Sequence, residues 1–387
     1  MRGHIILVCC YAALGMAAIY APQPLLPLLA RDLFASQAAV SLLVTVTLLP
    51  LGLAPLGFGL WLETLPARKL LLAAVALLGL SGLGLAVTPN YETFLGLRLG
   101  QGLLIPALLT SLMTLMAGLG EPAAIGRRLS LYVSATIVGG VLGRLFSGFT
   151  AQLLGWRSVF TCLGLMFLVG LPLLARLPDN ARKDGQRTGA KALIEVLAQS
   201  GPRRVCLLIF CCFFVFAAMC NGLPFRLVRL SPGLSSGAVG LAYSGYVMGM
   251  LASLLAPRLA WRFGGDRRAV CAGVLCHLAS LALFLPSSLA LSYGAMFVFC
   301  AGMFWVHALA PGILHRLAPG RTGVANGLYI SFYYSGGTLG TLLPGLVYDY
   351  AGWHVFVACL AAMLFAALWL ALGLPSEPLA EARQNAI

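Results

Sequence analysis

Three side chains that could do chemistry lie inside long apolar stretches of the sequence, namely Arg98, Arg144 and His307. An arginine within hydrocarbon costs about 2.5 kcal/mol or more, so it is expected to face a cavity or protein partners and to serve a function. Arg98 could instead clamp backbone carbonyls of the first helix, and the glycines around Arg144 favour a lock between packed helices. Because imidazole titrates near neutral pH, His307 could carry a proton, or it could be a hydrogen-bonded packing residue.

The acidic residues are distributed in the opposite way, because all eleven are predicted to lie in loops, at helix ends or in the tail. They are Asp32, Glu63, Glu92, Glu121, Asp179, Asp184, Glu195, Asp266, Asp349, Glu377 and Glu381. Proton-coupled exchange usually relies on a carboxylate inside the bilayer, where lost hydration favours the protonated form. Asp32, just beyond the first helix, is the nearest candidate. A cavity made positive by Arg98 and Arg226 would favour an anionic or neutral ligand over a cation.

The elements that must position these groups are membrane helices. The chain is 60% hydrophobic and only 9% charged, with a mean hydropathy of +0.94, whereas soluble domains are about 25% charged. Apolar runs long enough to cross the hydrocarbon core recur along nearly the whole length. We therefore predict an all-α integral membrane protein. The N-terminal apolar segment is interpreted as an uncleaved first helix rather than a signal peptide, because so many spans follow it.

Several other classes of chemistry find no support in the sequence. All eleven cysteines fall inside apolar runs without metal-ligand spacing, so we interpret them as small buried hydrophobic residues and expect neither disulfides nor a metal site. The sequence contains no Walker motif, dinucleotide fingerprint or nucleophile elbow. We therefore expect no enzyme activity and no cofactor.

Twelve spans are predicted, six on each side of a polar segment. They cover about 4–29, 40–62, 70–88, 93–117, 128–153, 158–175, 204–230, 236–258, 269–286, 290–313, 322–347 and 354–373. With the N-terminus in the cytoplasm, 19 of the 25 basic residues face the cytoplasm and 4 face outward. The excess of positive charge on the cytoplasmic side predicts that both termini are cytoplasmic. This bias accounts for the net charge of +14 without an acidic partner such as nucleic acid.

The sequence also repeats itself. Residues 131–157 align without a gap with residues 328–354 at a shift of 197 positions, and eleven residues of the pair are identical. The repeat predicts two pseudo-symmetric six-helix bundles at 1–175 and 204–375, joined by a cytoplasmic linker at 176–203 and followed by a tail at 376–387. Small residues in such spans let membrane helices approach closely.

Prolines interrupt corresponding spans of the two halves, with Pro24 matching Pro224 in the first and seventh spans and Pro106 matching Pro311 in the fourth and tenth. A proline frees a carbonyl that a neighbouring group or water must satisfy. Paired broken helices point to the binding site of a transporter, although they could also be ordinary kinks.

Four motifs add to this pattern. The loop after the second span reads GLWLETLPARK over 59–69, and its counterpart after the eighth span reads LAWRFGGDRR over 259–268. The fourth span carries RLGQG over 98–102, and the fifth carries GGVLGRLFSG over 139–148. These motifs resemble those of the major facilitator superfamily, specifically its drug/proton antiporter-like branch of bacterial exporters. The chain departs from the family pattern at Glu63 for Asp, Pro66 for Gly, Trp261 for an acid and Arg144 for a frequent Pro.

The resemblance implies two bundles that rock around a central cavity. The candidate cavity residues are Tyr20, Gln23, Arg98, Gln101, Asn221, Tyr243, Tyr246, Trp305, His307 and Tyr333. Core packing is the alternative for the aromatic residues, and hydrogen bonding to freed backbone is the alternative for Gln23 and Asn221. Candidates for proton coupling are Arg98, His307 and Asp32. Structural or gating roles are expected for Glu63, Arg68, Gly139, Gly140, Gly143, Arg144, Gly148, Arg262, Gly264 and Arg268.

Three functions fit this sequence. The first is proton-coupled efflux of small amphiphilic compounds or drugs by alternating access, and the second is transport or exchange of small anionic or neutral metabolites. The third, a membrane receptor or scaffold, would be expected to carry an appended soluble domain. We expect a monomer in a bacterial inner membrane whose partners are a small substrate, protons and the bilayer.

Overall fold

The structure is a computed structural model that describes residues 2–54, 66–119, 124–177 and 190–375. The regular elements in these ranges are helices, with short 3₁₀ turns at Gln23–Leu25 and Ala242–Gly245. In chain order the helices are α1 (Arg2–Tyr20), α2 (Leu26–Asp32), α3 (Gln37–Leu53), α4 (Ala67–Ala86), α5 (Tyr91–Gly118), α6 (Ile125–Leu154), α7 (Trp156–Val169), α8 (Leu171–Leu174), α9 (Ala190–Ala198), α10 (Ser200–Leu230), α11 (Ser236–Leu241), α12 (Tyr246–Arg262), α13 (Asp266–Ala282), α14 (Leu289–Leu317) and α15 (Thr322–Leu372).

These helices confirm the predicted fold class. Nine helical stretches in the described ranges are long and apolar enough to cross a membrane, and the shorter α3 and α13 match the second and ninth predicted spans. The two last predicted spans both lie in α15, whose 51 residues comprise two helices that meet at the non-helical backbone of Gly352 (φ 80°). The first predicted span is divided into α1 and α2, because the prolines after Tyr20 interrupt the α-helical hydrogen bonding. The orientation of the chain ends stays a prediction.

The chain divides into two compact units. The first consists of Met1–Arg187 and Leu234–Leu241, and the second of Thr188–Gly233 and Ala242–Ile387. The short helix α11 therefore groups with the first unit, where the Ser236 hydroxyl donates to the Gly148 carbonyl at 2.9 Å. The domain limits inferred from the sequence stay a prediction.

Close contact between α1 and α6 organises the first unit. A side chain on Gly139 would overlap the backbone of Ala13, and one on Gly143 would overlap Ala17. Two helices of a membrane protein gain dispersion energy when small residues allow this approach. The glycines of the fifth predicted span thus fix where α6 lies on α1.

The second unit repeats this contact between α10 and α15. A side chain on Gly336 would overlap the backbone of Phe210, and one on Gly340 would overlap Phe214. Both members of each contact are shifted by 197 positions from their counterparts in the first unit. The repeat read in the sequence is therefore also a repeat of helix packing within each unit.

Side-chain caps define where several spans begin. Ser36 accepts a hydrogen bond from the backbone N–H of Ala39 at 3.1 Å before α3, and Asn90 accepts one from Thr93 at 3.0 Å before α5. Ser288 serves α14 in the same way. Each cap satisfies one of the N–H groups that a helix start leaves without an intrahelical partner.

Candidate functional site

The first site residue to consider is Arg98, which is fully buried in α5. Its Nη1 donates to the Ala18 carbonyl and its Nη2 to the Ile19 carbonyl, each at 2.8 Å. Pro22 has no N–H, so it leaves the Ala18 carbonyl without the donor that a continuous helix would provide four residues later. Arg98 supplies the missing donor at the end of α1.

The remaining N–H groups of Arg98 reach other helices. Nε donates to the Leu43 carbonyl at 2.9 Å, Nη2 to the Thr47 hydroxyl at 2.9 Å and Nη1 to the Gln101 amide oxygen at 2.7 Å. Gln101 in turn donates to the Ser81 hydroxyl at 3.1 Å. A guanidinium has five N–H groups, and all five are used. Arg98 therefore ties α5 to α1 and α3 directly and, through Gln101, to α4.

Another buried arginine, Arg144, lies at the same interruption of α1. Its Nε donates to the Gln23 amide oxygen at 2.7 Å and its Nη1 to the Gly140 carbonyl at 2.6 Å. Its guanidinium carbon lies 4.0 Å from the centroid of the Tyr20 ring, in cation–π geometry. The structure thus brings two predicted cavity residues together with Arg144, for which the sequence favoured a lock between packed helices over a functional charge.

In the second unit, Tyr243 has the role that Arg98 has in the first, because it donates to a backbone carbonyl that a proline leaves without a helical donor. Its hydroxyl donates at 2.7 Å to the carbonyl of Cys220, the residue four positions before Pro224. The hydroxyl of Tyr246 lies 3.9 Å from the Cys220 sulfur. Asn221, the next residue of α10, is also buried. Tyr243 therefore satisfies backbone that the helix interruption frees.

His307 belongs to an aromatic cluster between α14 and α15. Its Nδ1 lies 2.7 Å from the Tyr329 hydroxyl, which also donates to the His307 carbonyl freed by Pro311. Tyr333 lies 4.9 Å from the imidazole and stacks on Phe213 at 3.7 Å between ring centroids. Tyr329 and Phe213 were not among the candidates. The available signal was the repeat, which aligns Tyr329 with Tyr132. Tyr132 likewise donates to a carbonyl of a neighbouring helix, that of Leu109 in α5, at 2.9 Å.

Tyr246 and Trp305 have different surroundings. Phe304 contacts Tyr246 at 5.4 Å and His307 at 6.0 Å between centroids, so Tyr246 joins the aromatic cluster of His307. Trp305 lies instead against Phe263, at 5.5 Å, near the end of α12. The structure therefore brings three predicted cavity residues, Tyr246, His307 and Tyr333, into one aromatic cluster. It places Trp305 against Phe263 of the loop motif.

Asp32 ends α2, and both of its carboxylate oxygens accept hydrogen bonds. One carboxylate oxygen accepts from Trp156 Nε1 at 2.9 Å, and the other from Arg31 Nε at 2.8 Å. The carboxylate thus anchors the start of α7 to the end of α2. Its role as a proton carrier stays a prediction.

The loop motifs are only partly described. Glu63 lies outside the described residues, as do 178–189 of the predicted linker and the whole of 376–387. Arg68 at the start of α4 donates to the Leu177 carbonyl at 3.2 Å. Arg262 ends α12, and the left-handed backbone of Gly264 (φ 74°) turns the chain toward Arg268 in α13. Gly148 allows α6 to approach α11, because a side chain there would lie 2.6 Å from the Ser236 carbonyl.

The described residues carry few acidic groups near these clusters. The described carboxylates lie near helix ends or on surfaces: Asp32, Glu92, Glu195, Asp266 and Asp349. Within the same ranges, no group of three or more His, Cys, Asp or Glu side chains could hold a metal ion. The buried charge of the first unit is therefore that of its arginines.

Comparisons with known proteins agree with one another. Residues 8–341 match the family described as the Major Facilitator Superfamily. An uncharacterized MFS-type transporter of Bacillus subtilis, YybF, is 24% identical over 359 residues, with 92% of this chain and 89% of the relative covered. The inner membrane transport protein YnfM of Escherichia coli is 27% identical, with 91% and 85% covered.

One relative has a stated substrate. The 3-(3-hydroxy-phenyl)propionate transporter of Escherichia coli is 28% identical, with 79% of this chain and 82% of the relative covered. A solved structure also matches, that of a bacterial homolog of the human lysosomal transporter Spinster in an inward-facing and occupied conformation. The TM-score is 0.74 at 14% identity, with 99% of this chain and 95% of the other covered. That likeness shows a shared fold.

Proposed function

Because this chain belongs to the major facilitator superfamily, and its relatives are transporters rather than enzymes, we propose that it carries a small organic anion across the membrane by alternating access. The observation that carries the proposal is the cluster of Arg144, Tyr20 and Gln23 at the interruption of α1. A buried guanidinium beside an aromatic face and an amide offers the groups that recognise an aryl carboxylate.

Arg144 suits this role better than Arg98. The five N–H groups of Arg98 are consumed by protein oxygens, so a substrate would have to displace several of them. The contacts of Arg144 described above are with an amide oxygen, a carbonyl and a ring, all neutral. A carboxylate that enters this cluster would gain charge-assisted hydrogen bonds from the guanidinium. The arylpropionate named for one relative is an anion of this class.

Transport into proteoliposomes tests the proposal. We expect 3-phenylpropionate and benzoate to be taken up by the wild type, and Arg144→Gln to reduce uptake at least tenfold because the charge is lost. Arg144→Lys keeps the charge but not the planar fork, so it should retain part of the activity. Arg203→Gln, on the exposed start of α10, is the matched control and should transport normally. Equal uptake by Arg144→Gln and the wild type would contradict the proposal.

A second candidate function is proton-coupled efflux of amphiphilic compounds from a bacterial inner membrane. The observation in its favour is the 2.7 Å hydrogen bond between the titratable groups of His307 and Tyr329. In this case, addition of a hydrophobic cation such as ethidium should drive protons across vesicles that contain a pH dye. His307→Asn should abolish that flux. Anion uptake without proton movement would exclude this candidate.

A further inference from the structure

A groove in the second unit has a charged rim and an apolar floor. Its volume is about 380 Å³, and the residues that line it come from the end of α12, the first three turns of α13 and the last turn of α15. They are Phe263, Arg267, Arg268, Cys271, Ala272, Leu275 and Leu372. None of these residues belongs to the clusters around Arg144 or His307, so the groove is separate from the candidate transport site.

The two arginines of the rim lie where a helix disfavours them. Arg267 and Arg268 are the second and third residues of α13, and the N-terminus of a helix carries a partial positive charge that repels cations. The acidic residue of that turn, Asp266, is bound by Arg316. In the ranges that the structure describes, neither Arg267 nor Arg268 makes an ion pair or a side-chain hydrogen bond. Helix stability therefore does not explain the pair, and an external anion would satisfy both arginines and the helix end.

The floor of the groove selects the kind of anion. Three of its apolar side chains are well exposed, with Phe263 at 40%, Leu275 at 49% and Leu372 at 60%. Side chains of this kind on a membrane protein contact acyl chains rather than water. A soluble anion such as phosphate would use the arginines and leave this apolar surface uncovered. A phospholipid would place its phosphate on the arginines and cover the apolar surface with an acyl chain.

We propose that this groove binds an anionic phospholipid, with its phosphate on Arg267 and Arg268 at the start of α13 and an acyl chain along Ala272, Leu275 and Leu372. Basic pockets between membrane helices bind acidic headgroups through these forces, and the cytoplasmic leaflet supplies such lipids. The predicted orientation places the two arginines in a cytoplasmic loop, at the level of those headgroups. The site would make stability or transport depend on the acidic lipid content of the membrane.

Native mass spectrometry of the full chain in detergent, titrated with phosphatidylglycerol, tests the site. Each arginine near a bilayer surface contributes roughly fivefold to the binding of acidic lipid, so Arg267→Gln with Arg268→Gln should weaken binding about thirtyfold. Arg203→Gln with Arg258→Gln removes the same charge from the same unit outside the groove, and it should change binding less than twofold. Ala272→Phe fills the floor but keeps both arginines, and it should also weaken binding.

Several outcomes would overturn the inference. Equal affinity for phosphatidylcholine and phosphatidylglycerol would remove the role of charge. Displacement of the lipid by millimolar glycerol phosphate, with Ala272→Phe still binding normally, would identify a site for soluble anions. Stronger lipid binding by a chain that ends at Pro375 would show that the acidic tail, with Glu377 and Glu381, occupies the groove. Unchanged binding by the double arginine variant would place the lipid elsewhere.

Discussion

At the scale of single residues, two of the buried arginines, Arg98 and Arg144, have different partners. Arg98 is saturated by five protein oxygens, two of them backbone carbonyls at the end of α1. Arg144 lies on the ring of Tyr20 and holds the amide of Gln23. We therefore propose that Arg98 stabilises the first unit and that Arg144 contacts the ligand.

This assignment predicts opposite phenotypes for matched substitutions. Arg98→Met should lower the free energy of unfolding by at least about 2 kcal/mol, because the Ala18 carbonyl is left buried without a donor. Arg144→Met should be closer to wild type in stability but inactive in transport. The measurements are the apparent melting temperature in detergent and anion uptake in vesicles. A stable Arg98→Met protein with no transport would instead return Arg98 to the coupling role expected from the family resemblance.

At the scale of elements, three of the proline interruptions are completed by a side chain from another element. The carbonyl that Pro22 frees is bound by Arg98, the one that Pro224 frees by Tyr243 and the one that Pro311 frees by Tyr329. These three hydrogen bonds therefore connect the proline interruptions to neighbouring elements in both units. Proline at these positions creates the acceptors on which helix packing depends.

A double-mutant cycle tests this account in the second unit. Tyr243→Phe should cost about 1–3 kcal/mol because the Cys220 carbonyl loses its donor. In a Pro224→Ala background the new backbone N–H can bind that carbonyl, so the same substitution should cost much less. Unfolding by denaturing detergent measures both. Tyr246→Phe, whose hydroxyl lies near the Cys220 sulfur, should show no dependence on residue 224, and additive effects for Tyr243 would refute the account.

The contact between α1 and α6 gives a second prediction at this scale. Gly139→Ala should separate the two helices, since the added methyl group overlaps the Ala13 backbone, and should lower both the melting temperature and transport. Gly100→Ala in α5 is the control, because nothing lies within 4 Å of the new methyl group. Alanine favours a helix over glycine by about 1 kcal/mol, so the control should be neutral or stabilised. Similar losses for both variants would argue against a packing role.

Much of this organisation could be predicted from the sequence, and its exceptions have physical causes. The spans follow from hydropathy, and the offset of 197 correctly paired Gly139 with Gly336. The acceptors of the five N–H groups of Arg98 could not be predicted, because they depend on which oxygens of the neighbouring helices face α5. Trp305 is predicted to line the cavity, and that stays a prediction. Its contact with Phe263 could not be predicted, because helical periodicity does not reveal which neighbour an aromatic side chain meets.

At the scale of the whole molecule, the distribution of charge predicts how the chain lies in the membrane. The cytoplasmic side is expected to hold 19 of the 25 basic residues, and the bias of arginine and lysine sets orientation in helical membrane proteins. The anionic lipid groove depends on the same orientation, because acidic lipids concentrate on the cytoplasmic leaflet.

Reporter fusions test the orientation directly. Green fluorescent protein fused after Ile387 should fluoresce, because it folds in the cytoplasm, and alkaline phosphatase fused there should be inactive. Alkaline phosphatase fused after Gly233, between α10 and α11, should be active outside the inner membrane. The reverse pattern would invert the topology and place the groove at the outer leaflet.

The paired glycine contacts allow a comparison of two different partner residues at the same packing position. The glycines are the same in both units, yet the residues that they face are Ala13 and Ala17 in α1 and Phe210 and Phe214 in α10. The closest atom that a side chain on any of these glycines would meet is a main-chain atom of the partner helix. The separation of the two helices therefore does not depend on whether the partner residue is alanine or phenylalanine. The side chains of α1 and α10 can thus differ between the two units while the backbone packing stays the same.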